Sequence, residues 1–259
     1  MRSRSFVAGG LSRDRVLIAS CIVLVTALAW VYLFRLNDEM SSAEAMARMG
    51  MSIDMPWTTR DFVLTFAMWS VMMIGMMSPT ALPVLLLFAQ MRRDQNQSVA
   101  ATLFGIGHIS IWIAFSVIAA SLQGLLHQLT LLSPGLVVTS PYIGGIILIG
   151  AGVYQLTPAK AKCLIKCQSP LGFLMSNWRE GASGAFVLGA KHGAYCLGCC
   201  WALMLVLFAV GVMNLAWVAV LTAFVFIEKF GLAGLRVARA AGVLIVFAGL
   251  LSMFMATRS

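Results

Sequence analysis

An all-α bundle of membrane-crossing helices is the fold class this sequence predicts, and three observations predict it. The chain is 61% hydrophobic and only 10% charged, with a mean hydropathy of +0.93, a composition foreign to a water-soluble domain. Several uninterrupted apolar runs approach or exceed the ~20 residues that cross a bilayer as a helix. The basic residues collect in short segments between those runs. Helices are the expected solution because each satisfies its own backbone hydrogen bonds where no water can. The two-residue alternation of an outer-membrane barrel is missing. The net charge of +9 belongs to membrane topology rather than to nucleic-acid binding, so no nucleic-acid partner is expected and lipid is.

The amino end carries Arg2, Arg4, Arg13 and Arg15, and an apolar run over 16–34 follows. It is long and lacks a small-x-small cleavage site before Arg35, so it reads as an uncleaved first span rather than a signal peptide. A polar, slightly acidic segment over 36–60 separates it from the second span, 62–90. Pro79 and Pro83 within that span remove backbone donors and predict a kink or break. Arg92 and Arg93 close it. The third span covers 99–122 and the fourth 141–156, joined by a nearly uncharged link. A basic connection over 157–185 contains Lys160, Lys162, Lys166 and Arg179. The fifth span, 186–212, turns tightly at Asn214 into the sixth, 214–229. The seventh runs over 237–255. Residues 1–259 thus form one integral membrane domain with no separate soluble unit.

Seven spans with a cytoplasmic amino end put Arg92/Arg93, the Lys160–Arg179 connection and Arg236/Arg239 inside. The outside receives 36–60, the bare 123–139 link and the Asn214 turn. Each connection then agrees with the positive-inside rule. The expectation is a bacterial inner (plasma) membrane protein with its carboxyl end outside.

Chemistry concentrates in His192-Gly193-Ala194-Tyr195-Cys196-Leu197-Gly198-Cys199-Cys200-Trp201. Half of the six cysteines and one of the three histidines fall within nine residues. On a helix His192, Cys196, Cys199 and Cys200 share an arc about 100° wide. Soft donors at that density suit Cu(I), with Zn(II) the other ion of matching softness. Buried cysteine also serves as a small hydrophobe, but four such groups on one face are hard to explain as packing. Cys163 and Cys167, four residues apart in the basic connection, lie on the same side of the membrane. Cytosolic reductants keep thiols free there, and neighbouring lysines favour thiolate ligation.

In the second span Met68, Met72 and Met76 form a helical stripe flanked by Met73 and Met77. Thioethers are soft and neutral, so they can hold Cu(I) in the bilayer without burying an anion; a methionine stripe is equally a common core filler. His108 in the third span is a lone intramembrane histidine, either a polar link between helices or a ligand along a metal path. Met40, Met46, Met49, Met51 and Met55 in the outer segment resist loss to disulfides, as outer capture ligands must. Glu228-Lys229 reads as the inner end of the sixth span, with the lysine reaching for headgroups. No Walker loop, phosphorylation signature, hydrolytic triad or haem-attachment motif is present. No enzymatic activity is therefore expected.

Taken together, Met68-Trp69, Met72-Met73, Met76-Met77 and Pro79, then Cys163-Leu164, Cys167, Pro170, Trp178-Arg179, the string from His192 to Trp201, Met213-Asn214 and Glu228-Lys229 resemble a known family. It is the family of predicted metal-binding integral membrane proteins, formerly a domain of unknown function and now associated with copper chaperoning. The resemblance covers roughly 62–229. It implies copper supply to a copper enzyme, such as a tyrosinase-type oxidase, sometimes with a small copper-chaperone partner. Family members often place His before the second loop cysteine; Lys166 stands there in this chain, removing one candidate ligand.

The leading expectation is a membrane Cu(I)-binding protein using His192, Cys196, Cys199 and Cys200, completed by Cys163 or Cys167. Its rivals are a membrane thiol–disulfide oxidoreductase built on Cys196-x-x-Cys199 and a non-catalytic assembly subunit of a larger membrane complex.

Overall fold

The structure, a computed structural model, describes residues 13–40, 57–92, 97–133, 136–231 and 233–258. Helices α1 (Arg13–Met40), α2 (Thr59–Met91) and α3 (Gln97–Gln128) come first. They are followed by α4 (Pro141–Leu156), α5 (Pro158–Gln168) and α6 (Pro170–Asn177), then by α7 (Gly181–Val210), α8 (Leu215–Phe230) and α9 (Gly234–Ala256). Among the described residues there is no strand beyond one isolated bridge between Leu132 and Val138. The expected all-α membrane bundle is what forms.

Local chemistry sets the helix boundaries. Thr58 starts α2 with a capping box: its backbone N–H donates to the Asp61 carboxylate at 2.9 Å, and its hydroxyl accepts from Asp61 N–H at 3.3 Å. That reciprocal pair satisfies donors a helix start leaves orphaned. Proline opens α4, α5 and α6, where a missing N–H costs nothing and the fixed φ suits a first turn. The same rule explains the break between α4 and α5. A residue before proline is pushed to extended backbone; Thr157 sits at ψ 148°, and the two helices meet at a 63° bend. Gly211, at φ 103°, ends α7 in backbone only glycine enters freely. Asn214 then caps α8.

Five helices, α1, α2, α3, α7 and α9, are long and apolar enough to cross a bilayer alone, and the bent α4–α5 pair brings the number to six. The seven apolar runs of the sequence all become helices, but α8 has 16 residues, about 24 Å of helix against a core of ~30 Å. Of the expected kink or break at Pro79 and Pro83, a break does not occur: α2 continues through both prolines. The Thr80 hydroxyl donates to Met77 O at 2.8 Å within this stretch.

Helices α2, α3 and α7 form the centre, while α1 and α9 bury little of their surface. The α3–α7 pair approaches backbone to backbone. A Cβ on Gly193 would stand 2.8 Å from His108 O, and Gly107 and Gly189 face Phe186 and Phe104 backbone in the same way. Small residues permit this close crossing, the usual means of helix association in lipid. Helix ends alternate. Trp57 packs against His127 with tilted rings and centroids 5.2 Å apart at one end, where Val138 N–H also donates to Phe208 O at 3.0 Å. Arg92 Nη1 donates to Gly181 O at 3.2 Å at the other. The basic 157–185 segment, read from sequence as a connecting loop, is mostly the short helices α5 and α6. They tuck Leu164, Phe173 and Leu174 into the bundle.

Candidate metal centre

The arc on α7 faces inward. His192, Cys196, Cys199 and Cys200 are each at most 2% exposed. About 22 Å of helix separates Gly181 from Cys196, so the thiols sit near the middle of α7, deeper than the mouth of an apolar run suggests. Cys199 Sγ lies 3.2 Å from Cys200 Sγ and 3.1 Å from Cys196 O. All six cysteines are free thiols.

Helix α5 brings the loop cysteines to the same place. Cys167 is buried and in side-chain contact with Cys199. Cys163 lies against Gly198, where any Cβ would stand 2.8 Å from its sulfur. A glycine inside the Cys-Leu-Gly-Cys-Cys string is therefore what lets α5 dock on α7 at the thiols. The Tyr154 hydroxyl donates to Gly198 O and fastens α4 to the same turn.

Two adjacent residues at the end of α8 complete the surroundings. Glu228 points to one side: its carboxylate accepts from Lys160 Nζ at 2.8 and 2.9 Å and from Gln155 Nε2 at 3.2 Å, and the Glu228–Lys160 pair is fully buried. Lys229 points to the other side, its Nζ 2.9 Å from Cys196 Sγ and 3.0 Å from Thr80 Oγ1. The sequence reading of this lysine as a headgroup-seeking boundary marker is corrected. Lys229 is 5% exposed, because it lies on the inward face of the last turn of α8, while Ile227 and Phe230 of the same turn face outward. Lys160, read as a loop charge, is likewise buried.

His192 does not join the thiols. Its Nδ1 faces His108 Nδ1 at 3.2 Å with the two rings tilted and their centroids 5.1 Å apart, and Phe104 and Phe173 also pack against the His192 ring. The glycine seam between α3 and α7 makes this pairing close. His108 Nε2 has no hydrogen-bond partner among the described residues. His108 also lines a largely apolar cavity of about 390 Å³ among α1, α2 and α3, together with Ser78 and Cys21.

Met68, Met72, Met73, Met76 and Met77 are all buried in one continuous apolar cluster with Cys167, Cys196, Cys199 and Cys200. The methionine stripe is thus a wall of the same interior. Met40 ends α1, while Met46, Met49, Met51 and Met55 lie outside the described residues.

Soft donors of the right kind are therefore gathered, though not as one closed shell. Among the described residues no three His, Cys, Asp or Glu side chains form a metal-holding group. The Cys199–Cys200 sulfurs, 3.2 Å apart, stand slightly closer than the ~3.8 Å spanned by two thiolates ~2.3 Å from one tetrahedral ion. A modest parting of two side chains separates this pair from a bidentate thiolate site, with Cys167 and Cys196 adjoining. Thr80, Lys160 and Lys229 are the neighbours that sequence reasoning did not place here. Their one sequence signal was a Glu-Lys pair ending an unusually short span.

A family model described as a copper chaperone, PpoB2, matches residues 66–252. No curated protein and no solved structure gives a match.

Proposed function

Starting from the premise that this chain belongs to the copper chaperone family PpoB2, we propose that it is a membrane-embedded carrier of Cu(I), held by the thiols of Cys199 and Cys200. The observation that carries this reading is the buried Cys199–Cys200 sulfur pair, 3.2 Å apart, with Cys167 in contact and the methionine wall beside it. Two thiolates suffice for Cu(I), and soft sulfur selects it over harder ions. Zn(II) asks for a fuller tetrahedral set, which supports copper as the cargo.

In this reading the methionines over 68–77 offer weaker, neutral sites beside the thiols, and the outer segment with Met40, Met46, Met49, Met51 and Met55 serves capture. The His108–His192 pair is a separate polar station next to the centre. Thiolates bind Cu(I) more tightly than thioethers, so unaided movement runs from methionine to cysteine. A copper enzyme or a small copper-chaperone partner is the recipient, and the chain acts as a carrier rather than a catalyst. The amino end is cytoplasmic, the carboxyl end is outside, and the membrane is a bacterial inner membrane, as the distribution of basic residues favours.

The test is elemental analysis of the detergent-purified protein under reducing conditions. The C199S/C200S double variant is expected to lose its tightly bound copper. Undiminished copper per chain in that variant overturns the assignment. A reversible disulfide between the two cysteines with no bound metal supports the thiol–disulfide alternative instead.

A further inference from the structure

The Glu228–Lys160 pair leaves one buried cation without a carboxylate. Among the described residues the bundle interior holds Lys160 and Lys229, and the Glu228 carboxylate is engaged by Lys160 at 2.8 Å. The polar contacts of Lys229 Nζ are the Cys196 sulfur at 2.9 Å and the Thr80 hydroxyl at 3.0 Å. An isolated charge in an apolar interior is costly unless matched. An ammonium has donors and no acceptor, so Lys229 cannot itself ligate a metal while charged. It adds one positive charge beside the sulfur cluster.

From this we infer that Lys229 is a specificity-determining residue: its fixed charge sets the centre for a monovalent metal ion over a divalent one. The inference rests on the thiolate reading of the centre. Cysteines that bind metal do so as thiolates. A Cu(I) ion on two thiolates carries a net −1, which the Lys229 ammonium brings to zero. A divalent ion on the same two thiolates is already neutral, and the lysine then leaves +1 buried. Whatever the number of thiolates, for a given ligand set the lysine shifts the preferred ion charge down by one.

The fold holds this charge in place from the opposite side. Lys160 and Gln155 fix Glu228, and Gln168 Nε2 donates to Glu228 O at 2.7 Å. The last turn of α8 is therefore anchored on α4 and α5, and the next residue along is directed at α7 and α2.

The experiment uses the full-length protein in detergent with reductant. Wild type, K229Q and K229R are titrated against chromophoric chelators for Cu(I) and for Zn(II), and the ratio of the two affinities is compared. A unit charge within a few ångströms of the ion in a medium of reduced dielectric predicts a fall in the Cu(I)-to-Zn(II) ratio of at least about tenfold in K229Q. K229R, which keeps the charge, is expected to stay near the wild-type ratio. An unchanged ratio in K229Q, or a fall in K229R as large as in K229Q, overturns the inference while leaving the copper reading intact. A wild-type protein that binds neither ion overturns both. Should K229Q fail to fold, K229M, which fills the apolar site without a charge, takes its place in the same comparison with K229R and is read by the same two outcomes.

Discussion

At the residue scale the interior is organised by charges that a linear reading places at membrane boundaries. Glu228 and Lys160 are fully buried and joined by two short contacts of 2.8 and 2.9 Å. Such a pair gains little over apolar packing, but removing one partner strands the other and costs roughly 3–5 kcal/mol. E228Q is therefore expected to destabilise the protein by about that amount. The fall should appear as a lower thermal midpoint when a thiol-reactive dye reports exposure of the buried cysteines; an unchanged midpoint refutes the structural role of the pair. The cysteine face was legible because helical periodicity alone places His192, Cys196, Cys199 and Cys200 on one arc. Its partners were not. Which ring His192 meets depends on the α3–α7 crossing, and which sulfur Lys229 meets depends on where α8 stops. Neither is a local property of the sequence.

At the element scale the α3–α7 seam sets the site. Gly189 and Gly107 each face opposing backbone where a Cβ has no room, whereas a Cβ on Gly105, two residues from Gly107, meets nothing within 4 Å. This contrast between the crossing and the face of α3 turned toward the α1–α2 cavity gives a paired prediction. G189A must separate the helices and should lower stability by about 1–3 kcal/mol through overpacking. G105A should be neutral or raise it by up to ~1 kcal/mol, since alanine is the better helix former. Thermal midpoints of the two purified variants measure both, and equal midpoints contradict the close crossing. The long spans were readable from hydropathy alone, while α5 and α6 were not, both being short and α5 also basic. Their signals lay in Thr157-Pro158 and Ser169-Pro170, a preceding hydroxyl residue and an N1 proline in each case. Pro79 and Pro83 predict a kink or break in α2, and the helix continues through both, held by the packing around it.

At the scale of the whole molecule, helix direction and charge distribution make one joint statement. Among the described residues the end bearing Trp57, His127, Pro141 and Asn214 carries fewer basic residues (Arg35, Arg60 and Arg258) than the end where Arg92 meets Gly181 (Arg15, Arg92, Arg179, Arg236 and Arg239). Lysine and arginine are retained on the cytoplasmic side during insertion, so the expected orientation puts the end where Arg92 meets Gly181 in the cytoplasm and Thr257, beyond α9, outside. The prediction is tested in intact cells or spheroplasts with a membrane-impermeant maleimide on variants that place a cysteine at Ser133, Thr257 or Ser98. S133C and T257C should label from outside, and S98C only after the membrane is opened. The six native thiols serve as the background: Cys196, Cys199 and Cys200 are buried and should not react in the folded protein. Labelling of S98C with protection of S133C and T257C inverts the topology. It would then set the thiol centre on a route opening to the other compartment, and the donor and recipient of copper would exchange places.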